Sequence, residues 1–98
     1  MNFHVYILRC ADGSYYVGHT DDLEKRLAAH QSGEIRGYTH SRRPVQFVFH
    51  EEFSSREDAF LRERQLKGWS RRKKEALIRD DWDSLKRLSR AHGSTSSP

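Results

Sequence analysis

Two side chains in this 98-residue sequence are charged where the helical pattern calls for apolar surface. Between Ser54 and Lys67, Ala59, Phe60 and Leu66 define one arc of a helix, and Glu63 falls inside it. A carboxylate there must be paired, protonated or bound to a metal, because burying it bare costs several kcal/mol or more. The plain alternative is a glutamate at the rim of the core, salt-bridged to an arginine. Arg26 repeats the pattern beside a stripe made by Leu23, Leu27 and His30 at i, i+4 and i+7. It is either the partner of a carboxylate or a stem lying along the core with its head in water. His30, on the stripe itself, reads in isolation as a satisfied core histidine. The run Arg71, Arg72, Lys73 and Lys74 opens a predicted helix, where the macrodipole disfavours cations. Phosphate binding would explain it, as would a solvated face. His4, His19, His40, His50 and His92 show no ligand spacing and have no cysteine cluster beside them, which argues against structural zinc. No glycine-rich phosphate loop and no Ser/His/Asp order is present, and Cys10 reads as a packing residue.

The elements that position these groups are predicted as follows. Phe3 to Arg9 is β-branched and aromatic and reads as a strand. Ala11, Asp12 and Gly13 form a three-residue hairpin loop, with Gly13 in the left-handed conformation, and residues 14–18 return as a second strand. That loop length sets Cys10 opposite Ser14, Leu8 opposite Tyr16 and Tyr6 opposite Gly18. Tyr6 and Tyr16 then share a face, whereas a two-residue loop would separate them. Thr20, Asp21 and Asp22 offer caps for a helix to about Gln31, with Glu24 completing a capping box from Asp21. Residues 32–44 read as a loop. Residues 45–50 form a third strand with Val45, Phe47 and Phe49 on one side. Ser54 and Glu57 are a second capping box, opening a helix to about Lys67. A third helix runs from near Ser70 to near Arg79, and residues 82–90 form a short helix before a frayed tail. The order ββαβαα points to an α+β fold with an antiparallel sheet. Residues 1–82 are expected to be a single domain, and residues 83–98 a short C-terminal helix and disordered tail.

Composition narrows the function classes. Hydrophobic residues are 35% and charged residues 33% of the chain, and aromatics, at 11%, argue against wholesale disorder. One cysteine excludes an internal disulfide and suits a reducing compartment. No apolar run exceeds four residues, against about 20 for a membrane span. A soluble, cytoplasmic protein with no membrane partner is expected. The net charge of +4 is unevenly placed: residues 1–34 hold three basic and five acidic groups, while residues 53–98 hold twelve basic and seven acidic. Basic foci on a mixed-charge chain suit a polyanion such as nucleic acid.

Tyr6, the triplet Tyr16-Val17-Gly18, Arg26 in the next helix and Glu63 in a later one together form a pattern that resembles the GIY-YIG nuclease superfamily. The first signature triplet stands here as His4-Val5-Tyr6. Tyr38-Thr39, Arg42-Arg43-Pro44-Val45, and Glu63 leading into Gln65-Leu66-Lys67 resemble its small single-domain YhbQ-like branch. The likeness covers about residues 3–79, and its force lies in the joint order and spacing of the motifs.

The resemblance implies a three-stranded antiparallel sheet flanked by helices and a metal-dependent endonuclease that hydrolyses phosphodiester bonds in DNA, single- or double-stranded being open, with RNA a candidate partner. By position, Glu63 is the protein ligand of one Mg2+ or Mn2+ ion, which suits a metal that keeps most of its waters. Tyr16 activates or orients the attacking water, Tyr6 supports it from the neighbouring strand, and Arg26 binds the scissile phosphate. His30 is a second candidate for proton handling and His19 a third. Gly18 is the structural glycine of the second triplet. Arg36, Arg42, Arg43, Lys67, Arg71, Arg72, Lys73 and Lys74, together with His19, contact the nucleic acid, and Tyr38 stacks on an unpaired base. His4 replaces the signature glycine. His19 stands where the excision-repair nucleases carry a lysine, so a role for it there requires the protonated ring and a pH dependence at about 6–7. No appended DNA-reading domain is visible, so specificity comes from substrate structure or a protein partner. DNA repair is implied by the likeness alone. The alternative is a non-catalytic DNA- or RNA-binding module using the same basic surface; the oligomeric state is open.

Overall fold

A computed structural model of the chain describes the backbone of residues 2–96 and the side chains of residues 2–89. It divides into two compact units, Met1–Lys67 and Gly68–Pro98. The first unit is built on strands β1 (Phe3–Arg9), β2 (Tyr15–Thr20) and β3 (Gln46–Phe53), with helices α1 (Leu23–Ser32) and α2 (Arg56–Lys67). The sheet is antiparallel, in the order β2-β1-β3. The fold is α+β, as expected from the element order.

The hairpin explains the register. Cys10 N donates to Ser14 O at 2.8 Å and Gly13 N to Cys10 O at 2.9 Å, closing a three-residue loop with Gly13 at φ +86°. A left-handed residue at that position is what joins a tight turn to the right-handed twist of the strands. Tyr6 then pairs with Gly18 and Leu8 with Tyr16. Tyr6, Leu8, Cys10 and Val45 form a buried cluster against which Tyr16, Leu23 and Leu27 pack, so α1 covers this face. Val5, Ile7 and Val17 alternate to the other face, where α2 packs with Ala59 and Leu66 buried.

Three local expectations are corrected. In β3, Ile7 pairs with Phe49 and Leu8 with Phe47, so Val48 is an extra residue. That bulge sends Phe47 and Phe49 to opposite faces and breaks the expected single side of Val45, Phe47 and Phe49. The α1 cap is Asp22, accepting from Lys25 N at 3.1 Å, in place of Asp21. At α2, Ser55 accepts from Asp58 N at 3.1 Å, one residue later than the expected box from Ser54. Each change leaves the helix face intact because a cap fixes only where the first turn begins.

The second unit holds α3 (Arg71–Ile78), capped by Ser70, and α4 (Trp82–Ser96). Ala76, Leu77 and Leu85 are buried. Asp80 at φ 60° turns the chain, and Asp81 accepts from Ser84 N at 3.1 Å. The Asp81 carboxyl is held at about 2 by its hydrogen bonds from Ser84, with Arg79 adding to them. Helix α4 continues to Ser96, through positions expected to fray, since no proline interrupts it and one glycine costs only about 1 kcal/mol. Residues 97 and 98 of the expected tail lie outside the described residues.

Candidate active site

A glycine in the edge strand β2 opens the site. A Cβ at Gly18 would lie 2.6 Å from Tyr6 Oη and 2.7 Å from Tyr6 Cζ. The Tyr6 ring occupies the volume a side chain would take, and its hydroxyl reaches the wall of a cavity of about 230 Å³. Tyr6 from β1, Tyr16, His19 and Thr20 from β2, Asp21, Arg26 from α1, and Arg56 and Glu63 from α2 line that cavity around Gly18. Successive β2 residues point to opposite faces. The cavity at the strand's open edge therefore draws on both.

On the α1 face Tyr6, His30 and Thr39 form a buried network without formal charge. His30 Nε2 and Tyr6 Oη share a 2.9 Å hydrogen bond, and His30 Nδ1 and Thr39 Oγ1 share one of 2.8 Å. Burial, with Arg26 adding to it, pushes the imidazole below its ordinary range, so His30 is the neutral ring that donates from one nitrogen and accepts at the other. Burial pushes the Tyr6 phenol far above its ordinary range. Tyr16 lies edge-on to His30, with ring centroids 5.2 Å apart, and stacks on Tyr38 at 6.2 Å.

On the α2 face the groups are charged. Glu63 is buried, with Oε1 within hydrogen-bond reach of His19 Nδ1 and Oε2 accepting from Lys67 Nζ at 2.7 Å. Burial raises the carboxyl, but the hydrogen bonds from Lys67 and His19 outweigh it and hold the group below its ordinary range. The partners are thus a lysine and a histidine; the sequence alternative had been an arginine. Arg56 Nη2 reaches Asp21 Oδ2 at 3.4 Å, and its guanidinium lies over Phe3.

These residues suit a hard divalent ion better than zinc. Among the described residues no group of three or more His, Cys, Asp or Glu could enclose a metal. One buried carboxylate facing a polar cavity, with room for water and phosphate, is the donor set that magnesium or manganese accepts. Glu63 is the side chain that would hold it.

The other predicted contacts are distributed differently. Arg42 is engaged within the first unit: Nε donates to Asp12 Oδ2 at 3.0 Å, Nη1 donates to Tyr38 O at 2.8 Å, and its guanidinium lies 4.0 Å over the Tyr38 ring. Arg43 Nε donates to His40 O at 2.8 Å, fastening the same loop. Arg36 and Tyr38 are exposed. Arg71, Arg72, Lys73 and Lys74 belong to the second unit, where Arg71 pairs with Glu75 and Lys73 lies over Trp69. Arg56 was missed as a cavity residue, although it precedes Glu63 by seven positions on one helix face. Thr39 was quoted only as part of a motif; its role depends on a loop returning to His30, which no local pattern displays.

The family model for the GIY-YIG catalytic domain matches residues 2–76. A UPF0213 protein of Bacillus pumilus is 46% identical over 79 residues, covering 81% of each chain. One from the archaeon Natronomonas pharaonis is 45% identical over 78 residues, covering 80% of this chain and 92% of its own. The solution structure of the UPF0213 protein BH0048 from Bacillus halodurans matches with a TM-score of 0.54 and 41% identity, covering 91% of this chain and 98% of that one. That of the protein EF2693 from E. faecalis matches with a TM-score of 0.58 and 36% identity, covering 82% and 85%. The chain is a member of the GIY-YIG catalytic-domain family, in its small UPF0213 branch.

Proposed function

We propose that this chain is a divalent-metal-dependent endonuclease hydrolysing phosphodiester bonds in DNA. The observation that carries the reading is the convergence of Tyr6, Tyr16, Arg26 and Glu63, from four different elements, on one cavity. A phosphodiester repels an anionic nucleophile, so its hydrolysis needs positive charge at the phosphoryl oxygens and an activated water. Magnesium or manganese at Glu63 supplies charge and acidifies water. Arg26, which lines the same cavity, binds a non-bridging oxygen and stabilises the charge that grows there. Tyr16 orients the attacking water. Tyr6, kept as a protonated phenol, fixes the position of that water through its oxygen while His30 and Thr39 fix Tyr6. His19 and Lys67 hold the carboxylate of Glu63 ionised.

The exposed basic residues Arg36, Arg71 and Arg72 supply non-specific backbone contacts, in either unit, and substrate structure or a protein partner supplies specificity. Among the described residues no helix is long and apolar enough to cross a membrane, and the free, buried Cys10 accords with a reducing, cytoplasmic setting. A role in DNA repair fits this chemistry. A second reading, a non-catalytic DNA- or RNA-binding module, draws on the fact that both Glu63 oxygens already have protein partners.

The test is a nicking assay with supercoiled plasmid and labelled single-stranded oligonucleotides, in magnesium, manganese or EDTA, with Glu63→Ala alongside. Cleavage that needs the metal and disappears in the variant is expected. Binding without cleavage, unchanged by Glu63→Ala, would establish the binding module instead.

A further inference from the structure

Beside the catalytic cavity lies a second recess of about 420 Å³, lined by His19, Arg56, Glu57 and Phe60. His19 and Arg56 line both, so they form the partition between them. Helix α2 was expected to bury Phe60 with Ala59 and Leu66, yet Phe60 is 44% exposed while the other two are buried. A scattered exposed phenylalanine is ordinary. This one is set among groups that share a chemistry. The His19 ring meets it edge-on with centroids 5.9 Å apart, and the Arg64 guanidinium lies 5.8 Å from its centroid. Arg56, Phe60 and Glu63 follow at i, i+4 and i+7, so the ring sits one helical turn from the proposed metal carboxylate, with Cβ atoms about 5–6 Å apart.

We infer that this recess binds a nucleobase of the strand being cleaved, stacked on Phe60 beside His19. The inference rests on the nuclease reading and names the part of the substrate that reading leaves unplaced. The occupant must offer a flat apolar face to Phe60 and carry an anion toward Arg56 and the shared cavity, and a nucleotide does both. Glu57 at the rim accepts hydrogen bonds only, which favours a base with an exocyclic amino group. A paired base inside a duplex has both faces covered and cannot enter. The recess therefore selects an unpaired or splayed nucleotide next to the scissile phosphate. An apolar peptide side chain would fill the space but would bring no anion to the partition.

The test reads binding, so it stands apart from catalysis. Single-stranded oligonucleotides carrying 2-aminopurine at successive positions are titrated with the wild-type protein in EDTA. Stacking quenches the fluorescence at one position, and Phe60→Ala abolishes that quenching and weakens binding about 10-fold. Phe60→Trp restores both, and Phe60→Leu, which keeps apolar volume, restores neither. An abasic site at the quenched position weakens wild-type binding by the same factor and leaves Phe60→Ala unaffected. Quenching at no position, or quenching and affinity unchanged in a folded Phe60→Ala, overturns the inference. Absence of cleavage under any metal, with the quenching intact, overturns the nuclease reading and leaves the base site standing.

Discussion

The α1 face of the sheet carries a network without formal charge, Tyr6, His30 and Thr39, whereas the α2 face carries Glu63, His19 and Lys67 around an ion pair. Burial favours the neutral form on both faces: it raises the Tyr6 phenol, lowers the His30 imidazole and raises the Glu63 carboxyl. Only at Glu63 is it overcome, because an ammonium and an imidazole both reach the carboxylate. Two sites on one sheet thus take opposite protonation logic from the partners within hydrogen-bond reach. The neutral side fixes geometry. The charged side holds an ionised carboxylate, buried itself but paired with a half-exposed Lys67.

The comparison is broken most severely at the residue proposed to bind the phosphate. Arg26→Ala is expected to lower cleavage about 10²–10³-fold, with plasmid binding reduced far less, as measured by nicking rate and gel shift. Gly18→Ala strikes the neutral side, at both of its tyrosines. Its Cβ would fall 2.6 Å from Tyr6 Oη and 3.1 Å from Tyr16 Cε2, so the buried Tyr6 ring must shift. Chemical denaturation should show a loss of about 1–3 kcal/mol, and nicking should fall about 10²-fold, since small misplacements have that effect.

His30→Ala affects the neutral side alone, leaving the Tyr6 and Thr39 hydroxyls without their buried partner, at a cost of about 1–3 kcal/mol. Unchanged stability in that variant would remove the argument that His30 positions Tyr6.

Acid titration of stability separates the two sides by pH. His30 has a lowered folded value, so the unfolded chain takes up its proton first. Its contribution is complete above about 6.5 and is lost as pH falls from there through its lowered folded value. Glu63 is also lowered, so its contribution is present above about 4.5 and is lost as pH falls from there through its folded value. His30→Gln should delete the first loss and leave the second. The smallest effect is at Lys67→Met, which removes one hydrogen bond from Glu63 and should move only the second loss, toward higher pH.

Much of this arrangement was legible in the sequence where the controlling interaction is local. The loop Ala11-Asp12-Gly13 fixes the hairpin register, and that register alone puts Tyr6 under Gly18. Helical period put Glu63 on the buried side of α2. It also put Phe60 there, wrongly, because period tells which residues share an arc but not how far the covering sheet extends. Lys67 lies four residues from Glu63 and could have been read as its partner from helix geometry; it was instead read as a nucleic-acid contact. The β3 bulge was not legible, since two residues facing one depends on the neighbouring strand. Arg42 and Arg43 were read from charge alone, while their hydrogen bonds to Asp12, Tyr38 and His40 depend on how the loop folds back.

By itself the sequence determined the strands, the hairpin register and the helix faces, because backbone dihedrals and side-chain periodicity are set by near neighbours along the chain. Only the tertiary structure decided that Thr39 steadies His30, that His19 meets Glu63 across 44 positions, and that Phe60 is left open beside them. Those contacts join residues distant in sequence, and their energies depend on burial and charge partners that exist only once the elements pack.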